Sequence, residues 1–254
     1  LSKIAVAMLS GPIFAAMKTG ELSYSQGFLR LLAVYGVPFL FVITEPDLGT
    51  SLVLIFMFLA TTFVWGVRWR TILLSVAGMI FLVLPLSWNF ALNATQKERI
   101  MTFLFRGHDK TASYHINQSL AAVASGGLAG NRTGENVSVP VKESDFIFPA
   151  ISEQLGLIGT TVVILLAAYF IFHTFRVASK IHSRSPEESY IMVALISGLA
   201  FHFVENIGMT VGLLPITGIP LPFISYGGSA MISNFLLLGV LLNYSMNYKE
   251  KAGT

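Results

Sequence analysis

The chain contains no cysteine. That absence excludes a disulfide scaffold, a thiolate metal site and a thiol nucleophile. Charge is scarce as well: 11% of the 254 residues are Asp, Glu, Lys or Arg, against about 25% in a soluble domain. The net charge of +3 gives no nucleic-acid footprint, because the basic residues gather between apolar stretches instead of forming a basic face with stacking aromatics. P-loop, His-Glu-x-x-His, Gly-x-Ser-x-Gly and dinucleotide-binding glycine patterns are all missing. Their absence argues against hydrolysis by zinc or a serine triad.

What is there is hydrocarbon. Hydrophobic residues make up 54% of the chain and the mean hydropathy is +0.71. Seven apolar stretches, Leu1–Met17, Phe28–Ile43, Leu48–Val67, Thr71–Phe90, Phe146–Phe175, Tyr190–Leu214 and Phe223–Tyr244, approach the roughly 20 residues that cross a bilayer as a helix. Runs such as Leu52 to Leu59 do not alternate in polarity, which excludes the strands of a membrane barrel. The expected fold is an all-α, polytopic bundle of seven transmembrane helices forming a single domain over residues 1–254, with a long loop over 91–145.

Basic residues set the orientation. Lys18, the pair Arg68 and Arg70, the group Arg176, Lys180 and Arg184, and Lys249 with Lys251 fall in alternate connections. If each stretch crosses once, all four places lie on the cytoplasmic side, with the C-terminus. The Thr44–Asp47 turn, the long loop and the Gly212–Ser225 stretch then lie outside. The opening Leu1 has no initiator Met, basic leader or cleavage site, so the expectation is a truncated chain with further helices upstream.

Two connections are unusual. The long loop far exceeds the few residues that join bundled helices. Within it Tyr114 to Ala124 reads as a re-entrant or surface helix, and Ser125-Gly126-Gly127-Leu128-Ala129-Gly130 as a mobile segment. The stretch from Asn206 to Ser229 is apolar but carries Pro215, Pro220, Pro222 and several glycines. Irregular backbone at membrane depth survives only when buried in protein or lining a cavity.

Carboxylates at such a boundary are costly unless paired, wet or used. Asp145 ends the long loop at the mouth of an apolar helix; it suits a helix N-cap as well as a catalytic acid or base. Glu45 and Asp47 flank Pro46 on the same outer side, where a turn and a cap explain them structurally. Glu153, at i+8 from Asp145, can share its helix face, and Glu205-Asn206 poses the same question. Lys3 is either a snorkelling cation or a cavity residue. Lys97, Arg99, Arg106, His108, Lys110 and Lys142, with Glu98 among them, make the loop basic, which suits a lipid-linked phosphate. Chemistry alone leaves an enzyme and a transporter of that lipid equally open.

Several blocks resemble the SEDS proteins (shape, elongation, division and sporulation), nearest to the RodA type. They are Pro46-Asp47-Leu48-Gly49-Thr50, Tyr114-His115 with Gln118-Ser119, Asp145-Phe146-Ile147-Phe148 with Glu153-Gln154-Leu155-Gly156, and Gly218-Ile219-Pro220-Leu221-Pro222-Phe223-Ile224-Ser225-Tyr226-Gly227-Gly228-Ser229. The resemblance runs the length of the chain in order, and its last block is highly specific. Val141, where many members have Glu, and a short run after Gly130 depart from the pattern.

The resemblance implies ten transmembrane helices, of which these seven would be the last. It implies a peptidoglycan glycosyltransferase of the bacterial inner membrane, acting on lipid II at the outer face for elongation and cell shape. A class B penicillin-binding protein would be its partner, within the elongation machinery and among membrane lipids, with no nucleic acid. Asp145 matches the essential loop acid, and Lys3 and Asp47 match polar cavity residues. Glu45, Arg99, Gln118, Lys142, Glu153 and Ser225 complete the candidate cavity or substrate-binding set. No residue is assigned as a metal ligand and no cofactor is certain; a divalent cation, Mg or Mn, is a candidate for steadying the pyrophosphate. The alternative readings are a flippase for the lipid-linked precursor and a scaffold that only positions the penicillin-binding partner.

Overall fold

The structure is a computed structural model that describes residues 1–45, 47–78, 81, 85, 88, 94–105, 110–131 and 144–252. Its helices are α1 (Ser2–Thr19), α2 (Tyr24–Thr44), α3 (Leu48–Trp65), α4 (Trp69–Gly78), α5 (Ala94–Leu104), α6 (Lys110–Ser125), α7 (Ile147–Ile181), α8 (Pro186–Thr210) and α9 (Gly228–Ala252). Five spans among the described residues are long and apolar enough to cross a membrane: Tyr24–Thr44, Leu48–Trp65, Ile147–Ile181, Pro186–Thr210 and Gly228–Tyr248. The protein is therefore an all-α polytopic membrane bundle. The first expected stretch forms α1 without joining that set, and the fourth lies partly outside the described residues.

Helix ends follow local chemistry. Ser23 caps α2 by accepting from the Gln26 N–H at 3.4 Å. Asp47 caps α3: Oδ1 accepts from Thr50 N at 2.9 Å and Oδ2 from the Thr50 hydroxyl at 2.6 Å. The structural account of Asp47 is thus realised. At the other end of α3, Lys18 Nζ donates to the Trp65 carbonyl at 3.3 Å, satisfying an orphan acceptor with a cation placed where the helix dipole favours it.

The chain divides into two compact units. The first comprises Leu1–Leu92, Ile171–Ala200 and Phe235–Thr254. Its core is the run Tyr190 to Ile196 of α8, every residue of which is buried; a helix apolar all round belongs in a core. Tyr190 packs against Phe14 with ring centroids 5.7 Å apart, and the Trp65 indole N–H donates to the Phe14 carbonyl at 3.0 Å. Small residues let helices approach closely: a Cβ on Gly198 would stand 2.9 Å from Met57 Sδ, and one on Gly11 would stand 3.0 Å from the Glu187 carbonyl oxygen.

The second unit comprises Asn93–Phe170 and Phe201–Asn234. The expected helix at Tyr114–Ala124 is present as α6. The mobile glycine segment is a correction: residues 126–131 are fastened to a break in α7. Gly156 interrupts that helix with φ 65° and ψ −163°, a conformation open to glycine and strained for other residues. Leu157 N donates to the Gly127 carbonyl at 2.9 Å and Ile158 N to the Leu128 carbonyl at 3.1 Å, while Asn131 N donates to the Glu153 carbonyl at 2.7 Å. The break thus finds partners inside the protein, as an apolar setting demands. Contact is backbone to backbone, and a Cβ on Gly156 would lie 2.6 Å from Ala129 N. Gly156→Ala combines a strained φ with a backbone clash; it is expected to destabilise the protein by at least about 1–3 kcal/mol, measured as a lowered unfolding midpoint in detergent.

Candidate functional site

The second unit carries the residues that surround Asp145. Asp145 lies in the turn before α7, half-buried, and the main chain of residues 144–145 is held by two side chains from elsewhere in the fold. Asn206 Nδ2, near the end of α8, donates to the Asp145 carbonyl at 2.8 Å and to the Ile219 carbonyl at 2.7 Å. The Ser225 hydroxyl donates to the Ser144 carbonyl at 2.6 Å and accepts from Leu221 N at 2.8 Å. Each residue therefore ties the 144–145 turn to the proline-rich stretch after α8. Both are buried, so these bonds are shielded from competing water.

That stretch is irregular from Val211 to Gly227. Its ends are closed by local bonds, from Leu213 N to the Gly208 carbonyl at 2.8 Å and from Ser225 N to the Leu221 carbonyl at 3.0 Å. Phe223 stands in left-handed backbone with φ 64°, a strained choice for a non-glycine residue, and packs edge-on against Phe170 at 6.3 Å. Gly218, at φ +77°, turns a bare Cα toward the site: a Cβ there would lie 3.3 Å from Asp145 Oδ2.

Charge completes the geometry. Arg99 of α5 donates from Nη1 to the Thr217 carbonyl at 3.2 Å and acts electrostatically on Asp145. Burial pushes the Asp145 carboxyl above its ordinary range; a hydrogen bond from Ser144 and the positive charge of Arg99 oppose that rise. The result is a carboxylate with proton affinity raised by desolvation, set beside a fixed cation. His115 of α6 stacks on Phe146 at 6.1 Å, with its Nδ1 buried and without a hydrogen-bond partner among the described residues.

Of the other expected residues, Gln118 lies on α6 and Glu153 is buried in α7. Lys142, with Arg106 and His108 of the basic loop, lies outside the described residues. Lys3, Glu45 and Asp47 belong to the first unit, where Lys3 and Asp47 interact electrostatically and Glu45 closes the end of α2. Sequence reasoning gave Asn206 only a passing place and Thr217 none. A polar residue in the last turns of an apolar helix was the available signal for Asn206. Nothing in the spacing marks Thr217, because its partners are far away in the chain. Among the described residues no three His, Asp or Glu side chains gather as metal ligands.

Replacing Asn206 by Leu leaves the Asp145 and Ile219 carbonyls without their donor. Two unpaired buried acceptors predict a loss of about 2–4 kcal/mol, read as a lower thermal unfolding midpoint than that of an exposed-site control such as Asn243→Leu.

A sequence model described as "FTSW_RODA_SPOVE: Cell cycle protein" matches residues 1–250. The chain is 35% identical over 232 residues to "Stage V sporulation protein E" of Bacillus subtilis, covering 88% of this chain and 61% of that protein. It is 32% identical over 225 residues to "Peptidoglycan glycosyltransferase MrdB" of Escherichia coli, covering 86% and 60%. A solved structure described as "Structural coordination of polymerization and crosslinking by a peptidoglycan synthase complex" contains a chain that superposes with a TM-score of 0.72 at 26% identity, covering 97% of this chain and 68% of that one. The chain thus spans about three-fifths of the length of these sequence relatives.

Proposed function

Because the chain belongs to the FtsW/RodA/SpoVE family, we propose that it polymerises lipid II into β1,4-linked glycan strands at the outer face of the bacterial inner membrane, for wall elongation and cell shape. The observation that carries this reading is Asp145: a half-buried carboxylate of raised proton affinity, held by Asn206 and Ser225 and faced by Arg99. The name of the Escherichia coli relative supports the same reaction class.

In this mechanism Asp145 is the general base. It takes the proton of the GlcNAc 4-hydroxyl on one lipid II as that oxygen attacks the anomeric carbon of the MurNAc on the growing strand. The bond from that carbon to the pyrophosphate breaks, configuration inverts to β, and undecaprenyl pyrophosphate departs with the bonding electrons. Arg99 balances the negative charge around the base, and it and other cations of the 91–145 loop are the groups suited to the phosphates. Gln118, Glu153 and Ser225 are the further candidates of the second unit in this reading, Lys3, Glu45 and Asp47 are those of the first, and Lys142 is a candidate from the sequence alone. Seven crossings with a cytoplasmic C-terminus put Asp145 outside, where lipid II presents its sugars. A class B penicillin-binding protein is the partner that would crosslink the product, a pairing supported by the polymerising and crosslinking complex to which the chain is similar.

Asp145→Asn is expected to abolish glycan formation from lipid II by purified, folded protein with its partner; near-normal product from that variant refutes the role. The base acts as the carboxylate, so the rate should fall as pH drops through its raised pKa, giving an acid limb above the ordinary carboxylate range of about 4. Arg99 holds that pKa down, so Arg99→Gln should move the limb to higher pH, measured as kcat/KM across pH.

A further inference from the structure

Glu205 sits in the last turns of α8 and is only 1% exposed. Its Oε1 accepts the Thr217 hydroxyl, and its Oε2 is buried with no hydrogen-bond partner among the described residues. A carboxyl group in an apolar helix with one oxygen unpaired is an expensive choice. Burial keeps it from touching a substrate, so any effect on the reaction runs through the groups it contacts.

Thr217 is where those contacts converge. Its hydroxyl binds Glu205, its carbonyl accepts from Arg99 at 3.2 Å, and the next residue, Gly218, lies against Asp145 Oδ2. No helical ladder holds this part of the chain, and the hydrogen bonds described for residues 215–220 come from side chains of other elements. The hydroxyl bond to Glu205 is therefore one of the few side-chain ties that hold the Thr217 carbonyl in place, beside Arg99 on the carbonyl itself and Asn206 on Ile219.

We infer that Glu205 is a positioning residue: by holding Thr217 it fixes the carbonyl that aims Arg99 at Asp145, and so sets the charge balance at the base. This rests on the reading of Asp145 as general base. Among the described residues the charged groups acting on Asp145 are Arg99 from α5 and Glu205 from α8. Losing Thr217's anchor loosens Arg99, and a loosened Arg99 lets the proton affinity of Asp145 rise. Losing only the charge of Glu205 cannot raise it, because removing a neighbouring negative charge favours the carboxylate.

The test compares Glu205→Gln, Glu205→Leu, Thr217→Ser, Thr217→Val and Asp145→Asn with the unmodified full chain, in glycan polymerisation from lipid II across pH with the crosslinking partner present. Folding of each is checked by thermal unfolding. Thr217→Val, which leaves the Glu205 charge in place, should move the acid limb to higher pH and lower kcat by about tenfold, as for loss of one positioning hydrogen bond, with KM nearly unchanged; Glu205→Leu should lower kcat equally, its lost negative charge offsetting part of the shift. Glu205→Gln keeps an acceptor and Thr217→Ser keeps a hydroxyl, so neither should raise the limb. Should Glu205→Leu fail to fold, Thr217→Val carries the comparison. An unmoved limb in Thr217→Val, or a fall in Glu205→Gln as deep as in Glu205→Leu, overturns the inference while leaving the base intact. Polymerisation by Asp145→Asn overturns the base, and this inference with it.

Discussion

A backbone amide or carbonyl in an apolar bundle has no water to bind, so every interruption of a helix has to be answered by another part of the protein. The second unit meets this demand in two places. At Gly156 the carbonyls of Gly127 and Leu128 receive the first N–H groups of the resumed helix. After α8 the carbonyls of Ile219 and Thr217 are met by Asn206 and Arg99. Meeting the second demand also builds the surroundings of Asp145, since Asn206 holds the turn that carries it as well.

This economy explains why buried polar residues cluster near one carboxylate. Asn206 uses both N–H bonds of its amide to join two chain segments that are distant in sequence, and Ser225 donates once and accepts once to the same end. In the proposed mechanism this rigid mounting keeps the acceptor within hydrogen-bond reach of the attacking hydroxyl. Glycine contributes by absence: at Gly218 there is no side chain to displace the carboxylate, and at Gly156 none to hold two backbones apart.

Two acids at helix entrances are held in different ways. Asp47 spends both carboxylate oxygens on Thr50, which makes it a helix cap with an electrostatic tie to Lys3. Asp145 has its main chain tied down by Asn206, while Ser144 and Arg99 are the groups that lower its proton affinity. The two residues looked alike in the sequence, each an acid at the entrance of an apolar helix.

Helical class, the membrane setting and the helix near Tyr114 were legible in the sequence, because each depends on local composition or periodicity. Cap chemistry at Asp47 was legible for the same reason: its partner is three residues away. The docking of Gly126 to Gly130 on the break at Gly156 was not legible, and the segment read as mobile, because glycine permits either freedom or close backbone contact and only the neighbour decides which. The chain of contacts from Glu205 through Thr217 to Arg99 was likewise invisible, since Arg99 and Thr217 are 118 residues apart. Local composition settles which residues avoid water and which acids stand at helix mouths; which donor answers which orphaned carbonyl, and through that the surroundings of Asp145, follows from packing between segments far apart in the chain.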